Sequence, residues 1–222
     1  MKRINSDFVR PSQALIEEYA KLSTATVHEA SGRKGAVFSD IKPTKPGMKV
    51  CGSVLPVMLP GGDNIMAHKA LYVARPGDVL VVNNGGITEF GIWGEVMAVA
   101  AQFAGIAGLV TDGSVRDSDR MFHLGFPVFC NGVCIKGASK ERLGFIGYPV
   151  NLRGVVIKPG DIILGDDDGL VVVDLDEATS ILEASKIRES KEAVVFEEIR
   201  NGNSTLEIYD LGKKLTELGL EE

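Results

Sequence analysis

Apolar residues recur at helical spacing along several parts of the chain. Residues 11–22 open with a proline and repeat apolar side chains every three or four positions, a pattern typical of an amphipathic helix. The same pattern predicts helices in residues 24–30, 64–74, 93–105, 116–125, 176–201 and 204–218. The last two are highly charged with a one-sided apolar pattern, so we expect them to pack on the core or on a neighbouring subunit.

Short runs of β-branched residues lie between these helices and predict strands. Three of them follow a Pro-Gly turn, in KPGMKVCGSV, RPGDVLVVNNGG and KPGDIILGDDDG. Further strands are predicted in residues 108–113, 126–130 and 170–174, and the Asp-Gly step in GDDDGLVVV predicts a hairpin turn. The uneven spacing of the three units argues against a repeat array and leaves them as evidence for a β-rich core.

The chain shows no linker-like shift in composition, which predicts a single domain over residues 1–222. We expect N-terminal helices in about 1–35, an α/β core in about 36–175 and C-terminal helices in about 176–222.

The formal net charge of −6 argues against a nucleic-acid surface, because binding phosphates needs a basic patch. An anionic substrate would need a local cation or a bound metal to attract it. The N-terminus lacks the apolar segment of a secretory signal, and no run approaches the ~18 apolar residues that span a bilayer. We therefore expect neither nucleic acid nor membrane as a partner.

Cys51, Cys130 and Cys134 are an odd number of cysteines in a long chain, which indicates a reducing compartment and a cytoplasmic protein. Cys130 and Cys134 with His123 could be imagined as zinc ligands. That set lacks a fourth ligand, so small buried thiols are the expected interpretation.

Candidate chemistry concentrates around one helix start and one strand end. In NNGGITEFGIWGEVMAVAAQ, four glycines surround the start of a helix, with Gly94 and Glu95 in a first turn that favours anions. The following strand, 108–112, leads to Arg116 and Asp117. The carboxyl ends of strands are the usual ligand edge of an open α/β fold. Arg116 would hold a carboxylate or enolate, and Asp117 a magnesium or manganese ion.

Each of these features also has a simpler interpretation. Gly-rich turns before helices are common, and neighbouring Arg and Asp residues often form a surface ion pair. His28 and His68 are as well explained by helix capping or packing, and Trp93 by anchoring its helix. The joint spacing of the glycines, Arg116 and Asp117 favours the functional interpretation.

The segment GGITEFGIWGEVMAVAAQFAGIAGLVTDGSVRD resembles the signature of the 4-hydroxy-4-methyl-2-oxoglutarate / 4-carboxy-4-hydroxy-2-oxoadipate aldolases. These are class II pyruvate aldolases related to the regulator of ribonuclease E activity A. The likeness continues through VHEASGRKGAV, PGGDNIMAHKAL, FPVFCNGVCIKG and VVIKPGDIILGDDDGLVVV into KIRESKE. The family's acid–x20–Arg–Asp spacing is met by Glu95, Arg116 and Asp117, because residues 96–115 number 20.

This resemblance implies an α/β/β/α sandwich of the swivelling-domain type, with N- and C-terminal helical extensions. It also implies a homotrimer or homohexamer whose active sites lie between subunits. The expected ligands are a small 2-oxo acid and a divalent metal, Mg²⁺ or Mn²⁺.

The resemblance further implies a role for individual residues. Asp117 would bind the metal, Arg116 would steady the pyruvate enolate, and the backbone from Gly94 through Glu95 to Val96 would hold the pyruvate carboxylate. Catalytic and metal-binding acids from a neighbouring subunit would be Glu29 and a glutamate of the C-terminal helix, with Glu192 the best match and Glu189 the alternative. The family has Asp where this chain has Glu95, and we expect the longer side chain to affect metal-bound water or substrate choice.

Three functions follow as hypotheses. The first is metal-dependent retro-aldol cleavage of a 4-hydroxy-2-oxo acid that releases pyruvate, with oxaloacetate decarboxylation as a second activity. The second is a non-catalytic binding module like the ribonuclease E regulators, which resemble only the central portion of this chain. The third is a related lyase or hydrolase acting on another oxo acid. The C-terminal helical extension, which would supply an acid in trans, favours the enzyme.

Overall fold

The computed structural model describes residues 2–220, which contain eight α-helices and twelve β-strands. The helices are α1 Gln13–Tyr19, α2 Thr24–Ala30, α3 Ile65–Ala70, α4 Glu95–Phe103, α5 Ser118–Leu124, α6 Ala178–Arg200, α7 Thr205–Ile208 and α8 Leu211–Glu217. The strands are β1 Lys42–Pro43, β2 Val50–Met58, β3 Asp78–Asn83, β4 Gly108–Thr111, β5 Ser114–Val115, β6 Val128–Cys130, β7 Gly132–Val133, β8 Phe145–Ile146, β9 Val150–Leu152, β10 Val155–Ile157, β11 Ile162–Asp166 and β12 Gly169–Val173.

The first two helices form where side-chain caps satisfy their free N–H groups. The Ser12 hydroxyl accepts a hydrogen bond from the Leu15 N–H, and the Ser23 hydroxyl accepts one from the Thr26 N–H. Both helices lie within the ranges that the apolar spacing predicts.

Three predicted helices have different bounds. The helix predicted from residue 93 begins at Glu95, because Trp93 is buried against Phe126 and Gly94 is extended. The helix predicted over 64–74 ends at Ala70, and a turn follows it. The helix predicted over 204–218 is wrong as one element: Asp210 adopts a left-handed conformation, φ 50°, and separates α7 from α8.

An eight-stranded mixed sheet forms the centre of the protein, in the order β1-β6-β4-β3-β2-β11-β12, with β8 also paired to β2. Strands β2, β3, β4 and β6 are parallel neighbours, and α3, α4 and α5 provide the crossovers between them. The carboxyl ends of these four strands therefore meet at one edge. The hairpin predicted from GDDDG is confirmed, since Asp166 pairs with Gly169 between β11 and β12.

Hydrophobic residues cover both faces of the sheet. Leu55, Leu80 and Leu109 pack under α3, α4 and α5, whereas Val54 and Val79 face a second cluster shared with the β9–β10 hairpin. This alternation follows from the twofold side-chain period of a strand.

The two ends of the sheet approach each other. Strands β1 and β12 are in contact, and the Lys42 Nζ donates to the Asp168 carbonyl oxygen at 2.6 Å. On the outside of β11 and β12, Ile162 and Val171 pack against α1, α2 and α6. The fold is thus the expected α/β/β/α sandwich, built on a nearly closed sheet with helical extensions.

The C-terminal helices are only partly packed. Ala178, Ile181 and Leu182 of α6 are buried, in agreement with the one-sided apolar pattern; Ser185 is buried with them, whereas Ala184 is half-buried. Within residues 2–220, no helix combines the length and the apolar character needed to cross a membrane.

Candidate active site

Two chain segments that follow parallel strands form the centre of the candidate site. One runs from the end of β3 to the start of α4, and the other from β4 through β5 to α5. Backbone hydrogen bonds join them: the Ile92 N–H donates to the Ser114 carbonyl at 3.0 Å, and the Arg116 N–H donates to the Trp93 carbonyl at 2.8 Å. Arg116 and Asp117 are thereby held beside the first turn of α4.

Asp117 has an unusual backbone conformation for a residue other than glycine. Its φ of 56° is left-handed, which Asp tolerates better than most residues. The Asp117 Oδ2 accepts the Glu95 N–H at 3.2 Å and lies 3.8 Å from the Arg116 Nε. The carboxylate therefore lies between a guanidinium and the positive end of a helix.

Gly94 is required by this close approach. A Cβ on Gly94 would lie 2.5 Å from the Asp117 Oδ2 and 3.0 Å from the Arg116 Cγ. The backbone at this position is extended, so the requirement is steric and does not come from a positive φ. The glycine that the motif places at the helix start therefore makes room for the two functional side chains.

A cavity of about 220 Å³ lies against these residues. Gly94, Val96, Arg116 and Asp117 line it, so the structure brings together four of the site residues expected from the sequence. Its remaining lining residues are Asn64, His68, Gly91, Ile92, Trp93, Met97, Gly137, Ala138 and Lys140. A second cavity of about 450 Å³ shares Arg116 and Asp117 and extends over the start of α5.

Asn64, His68 and Lys140 are cavity residues that the sequence interpretation missed. Asn64 is buried: its Nδ2 donates to the Ile92 carbonyl at 2.8 Å, while its buried Oδ1 has no hydrogen-bond partner among residues 2–220. His68 comes from α3 and Lys140 from the segment before β8. From the sequence alone, helix capping or packing explains His68 as well as a role in the site does.

The cavity has a positive character despite the acidic chain. Arg116 and Lys140 both line it. Burial, together with the charge of Lys140, lowers the pKa of His68 below its ordinary value, so its ring is neutral near pH 7. The cavity therefore combines two cations with the single carboxylate of Asp117 and a neutral hydrogen-bonding ring, and this net positive set suits an anionic ligand.

The glutamates predicted to act in the site do not line this cavity in a single chain. Glu29 pairs with Arg33 at 3.2 Å, and Glu192 with Arg188 at 3.0 Å. Glu189 is exposed on α6, and the Glu95 side chain is exposed while its N–H bonds to Asp117. The expectation places Glu29 and the α6 glutamate in a neighbouring subunit, so it stays a prediction.

Asp117 is suited to a divalent cation. Its side chain is 43% exposed and accepts a single protein hydrogen bond, which leaves carboxylate lone pairs free. Within residues 2–220, no three His, Cys, Asp or Glu side chains form a metal cluster. Mg²⁺ is commonly held by one or two carboxylates, with water and substrate completing its shell. The donor set of one hard oxygen beside an anion cavity fits such an ion.

Other sequence expectations concern packing. Trp93 is 1% exposed and stacks on Phe126 with ring centroids 6.1 Å apart, which confirms its role as an anchor. Cys130 is confirmed as a buried thiol, and burial raises its pKa to about 11; the same expectation is wrong for Cys134, which is only half-buried.

Comparison with known proteins identifies the family of this chain. The sequence profile of the RraA-like family, described as Aldolase/RraA, matches residues 20–172. The chain belongs to the RraA-like family. This finding confirms the resemblance inferred from the motifs around Arg116 and Asp117.

The relatives of this RraA-like protein carry several kinds of name, among them aldolase and ribonuclease inhibitor. A Halalkalibacterium halodurans protein, provisionally named 4-hydroxy-4-methyl-2-oxoglutarate aldolase, is 34% identical over 79% of this chain and 83% of its own length. The Streptomyces coelicolor protein RraAS2, described as an unusual member of the RNase ES inhibitor RraA family, has a TM-score of 0.76 and 30% identity. The RNA-processing inhibitor RraA of Thermus thermophilus has a TM-score of 0.63 and 26% identity.

The coverage of these structures corrects one expectation. The Thermus protein covers 68% of this RraA-like chain and is itself covered to 92%, as expected for a regulator that resembles the central portion. RraAS2, however, covers 85% of this chain and is covered to 98%. Chain length therefore does not separate aldolases from regulators, and the chemistry of the site must do so.

Proposed function

We propose that this protein is a divalent-metal-dependent aldolase. It cleaves a 4-hydroxy-2-oxo acid of the 4-hydroxy-4-methyl-2-oxoglutarate type and releases pyruvate. The observation that carries the proposal is the placement of Arg116 and Asp117 beside the first turn of α4, in the wall of a cavity with a second cation, Lys140. Aldolase-named relatives support an enzyme of this class.

In the cleavage, a base removes the proton from the C4 hydroxyl, the C3–C4 bond breaks, and its electron pair moves toward the C2 oxygen. The C4 oxygen becomes the carbonyl oxygen of the second product, and protonation of C3 in the resulting enolate gives pyruvate. Arg116 stabilises the charge that develops on the enolate oxygen, through donors already in place. The first-turn backbone of α4, at Gly94 and Val96, binds the carboxylate of the substrate.

Asp117 would hold the metal, which as a Lewis acid supplies an electron sink for the 2-oxo group. The protein's own contribution at this point is to place the Asp117 carboxylate 3.8 Å from the Arg116 Nε, so that an ion held by Asp117 would face the same substrate as the guanidinium. Magnesium and manganese are the expected ions, because the ligand is a hard oxygen.

Two groups are candidates for the base. His68 lines the cavity, and its lowered pKa leaves a nitrogen lone pair available near pH 7. Glu29 is the alternative from a neighbouring subunit, as the family resemblance implies. Substitution of each by an isosteric neutral residue, His68→Asn and Glu29→Gln, distinguishes them through the acidic limb of the pH–rate profile.

The deciding experiment measures pyruvate release from a panel of 2-oxo acids, including oxaloacetate, with Mg²⁺, with Mn²⁺ and with excess EDTA. We expect release from 4-hydroxy-2-oxo acids that depends on added metal and is lost in Asp117→Ala, while Asp119→Ala retains it. Full turnover in EDTA would exclude the metal mechanism.

The second candidate function is a regulator that binds without catalysis, which the likeness to RraAS2 favours. No pyruvate release from any acid of the panel, combined with binding of a ribonuclease by the intact protein, would support it over the aldolase.

A further inference from the structure

Asp63 is a buried carboxylate just before α3, and four hydrogen bonds converge on it. Its side chain belongs to a residue that is 0% exposed. The Asp63 Oδ2 accepts from the Glu141 N–H at 2.6 Å, the Arg142 N–H at 3.1 Å and the Ser139 hydroxyl at 2.7 Å. Its Oδ1 accepts from the Ile65 N–H at 3.0 Å. One side chain thus joins the segment 139–142 to the start of α3.

Backbone hydrogen bonds reinforce the same junction. The Asn64 N–H donates to the Ser139 carbonyl at 3.0 Å, and the Ser139 N–H donates to the Gly62 carbonyl at 2.9 Å. Lys140 lies between two residues that donate to Asp63, and Asn64 directly follows Asp63. Both Lys140 and Asn64 line the cavity that Arg116 also lines, whereas Asp63 does not.

The four donors require an ionised carboxylate. A carboxylate is an acceptor at every lone pair, whereas an amide of the same shape replaces one oxygen by an NH₂ group that only donates. In Asp63→Asn, either the Ile65 N–H or the donors from segment 139–142 would face a donor. A buried N–H without its acceptor is unfavourable, so the substitution weakens the junction between segment 139–142 and the start of α3.

We propose that Asp63 is a positioning residue of the candidate active site. Its carboxylate clamps segment 139–142 against the start of α3 and so sets the positions of Lys140 and Asn64 relative to Arg116. The catalytic consequence rests on the proposed aldolase function, but the clamp itself can be measured without turnover.

The first measurement uses His68, which lines the cavity with Lys140. The chain has three histidines, so the ring protons of His68 can be assigned and titrated by NMR, with His28 and His123 as internal references. Lys140→Met should raise the pKa of His68, because the positive charge of Lys140 helps to lower it. In an Asp63→Asn background, the rise in the pKa of His68 caused by Lys140→Met should be at most half as large, since Lys140 is no longer held beside the ring.

Asp112→Asn is the matched control. Asp112 is also a buried carboxylate, 3% exposed, and its oxygens accept the N–H groups of Asn84 and Gly86. Neither of those residues lines the 220 Å³ cavity. We expect Asp112→Asn to leave the effect of Lys140→Met on the pKa of His68 unchanged.

Ser139→Ala covers the case in which Asp63→Asn does not fold. It keeps the carboxylate and its three backbone donors but removes the hydroxyl donor. We expect it to weaken the coupling between Lys140 and His68 in the same direction and to a smaller extent.

The second measurement is the steady-state rate of pyruvate release. Asp63→Asn and Lys140→Met should each lower kcat/KM, and the double variant should be no worse than the poorer single variant, because both remove the same interaction. If the fractional losses of kcat/KM in the two single variants multiplied in the double variant, Asp63 would have a purely structural role.

The proposal would be overturned if Lys140→Met shifted the pKa of His68 equally in the wild type and in Asp63→Asn. It would also be overturned if Lys140→Met did not shift this pKa in the wild-type background. If no 2-oxo acid is cleaved, the aldolase proposal fails while the His68 titration still decides the role of Asp63.

Discussion

At the scale of single residues, Arg116 is placed before any ligand arrives. Its N–H is bonded to the Trp93 carbonyl, and glycines line the path of its side chain. A Cβ at Gly91 would lie 3.0 Å from the Arg116 Cβ, and one at Gly94 would lie 3.0 Å from its Cγ. The guanidinium is thereby confined beside Asp117, and it presents a planar fork of donors to the cavity.

We predict that Arg116→Lys is nearly as damaging as Arg116→Ala. A lysine keeps the charge but cannot present two parallel donors to an enolate or carboxylate. Loss of one such preorganised donor typically lowers turnover by ~100- to 1,000-fold. The measurement is kcat for pyruvate release, with Arg120→Lys on α5 as the control. Retention of most of the wild-type rate by Arg116→Lys would give Arg116 a structural role only.

The surroundings of Asp63 also predict how the free energy of unfolding depends on pH. Burial by itself would raise the pKa of this carboxyl, but the N–H groups of Glu141, Ile65 and Arg142 and the Ser139 hydroxyl outweigh it and lower the pKa to about 2. Because this pKa lies below the ~3.9 of an unfolded Asp, the ionised group stabilises the fold above pH ~4. That contribution, on the order of 2 kcal/mol, is lost as the pH falls from ~4 to ~2.

Urea unfolding of the wild type and of Asp63→Asn between pH 6 and pH 2 tests this linkage. The difference in the free energy of unfolding should narrow below pH 4. Asp112 should show the opposite pH dependence, because burial raises its pKa and makes its ionised form less favourable in the fold. The free energy of unfolding of the wild type should therefore rise relative to that of Asp112→Asn as the pH falls. A pH-independent difference for Asp63→Asn would contradict the assigned pKa.

At the scale of elements, the start of α4 places the glycine motif against Arg116 and Asp117. We predict that Gly94→Ala abolishes most activity with little effect on folding, because its Cβ would push on the Asp117 carboxylate at 2.5 Å. A displacement of ~1 Å in a catalytic group can cost ~100-fold in rate. Gly212→Ala in α8 is the control, because within residues 2–220 the added Cβ meets no atom within 4 Å apart from its chain neighbours and its own helix backbone. Wild-type turnover in Gly94→Ala would show that Asp117 can move without consequence.

The elements that local patterns describe best are those whose apolar period matches their packing. The spacing in 176–201 anticipated α6 because its N-terminal half buries Ile181 and Leu182 on the core. Local patterns missed the break at Asp210, since a left-handed Asp has no apolar signature. The same limit applies to the end of α3, which depends on the turn that follows Ala70.

The residues of the candidate site likewise fall into those that a local pattern predicts and those that it does not. Gly94, Arg116 and Asp117 were predictable because a motif of fixed spacing contains all three. Lys140 lies 24 positions after Arg116 and reaches the cavity through the hydrogen bonds of Asp63, a tertiary arrangement that no local pattern encodes. His68 was visible as a helix residue, but its cavity position depends on how α3 packs under the sheet.

At the scale of the whole molecule, the C-terminal helices leave apolar surface exposed. Eight large side chains from the middle of α6 onward are more than 40% exposed in the single chain: Ile187, Val194, Phe196, Ile199, Leu206, Tyr209, Leu218 and Leu220. A monomer seldom leaves so many apolar side chains uncovered on adjoining helices. We propose that a second copy of the chain covers them, in a homotrimer or homohexamer.

Such an assembly would allow two chains to share one active site. Glu29 pairs with Arg33, just after α2, Glu192 pairs with Arg188 on α6, and neither glutamate lines the cavity of its own chain. We expect Glu29 to act on the cavity of a neighbouring chain, where Asp117 comes from that neighbour. An isolated protomer should then be inactive.

We predict that Asp117→Ala and Glu29→Ala, each inactive alone, complement each other in mixed oligomers. Some sites in a mixture combine an intact Asp117 from one chain with an intact Glu29 from the next, so pyruvate release should recover in part. The measurement compares co-refolded mixtures with each variant refolded alone, and mass analysis verifies that mixed oligomers form. Glu183→Ala, an exposed change on α6, serves as the control and should remain active by itself. Mixed oligomers without recovered activity would show that each site is built from a single chain.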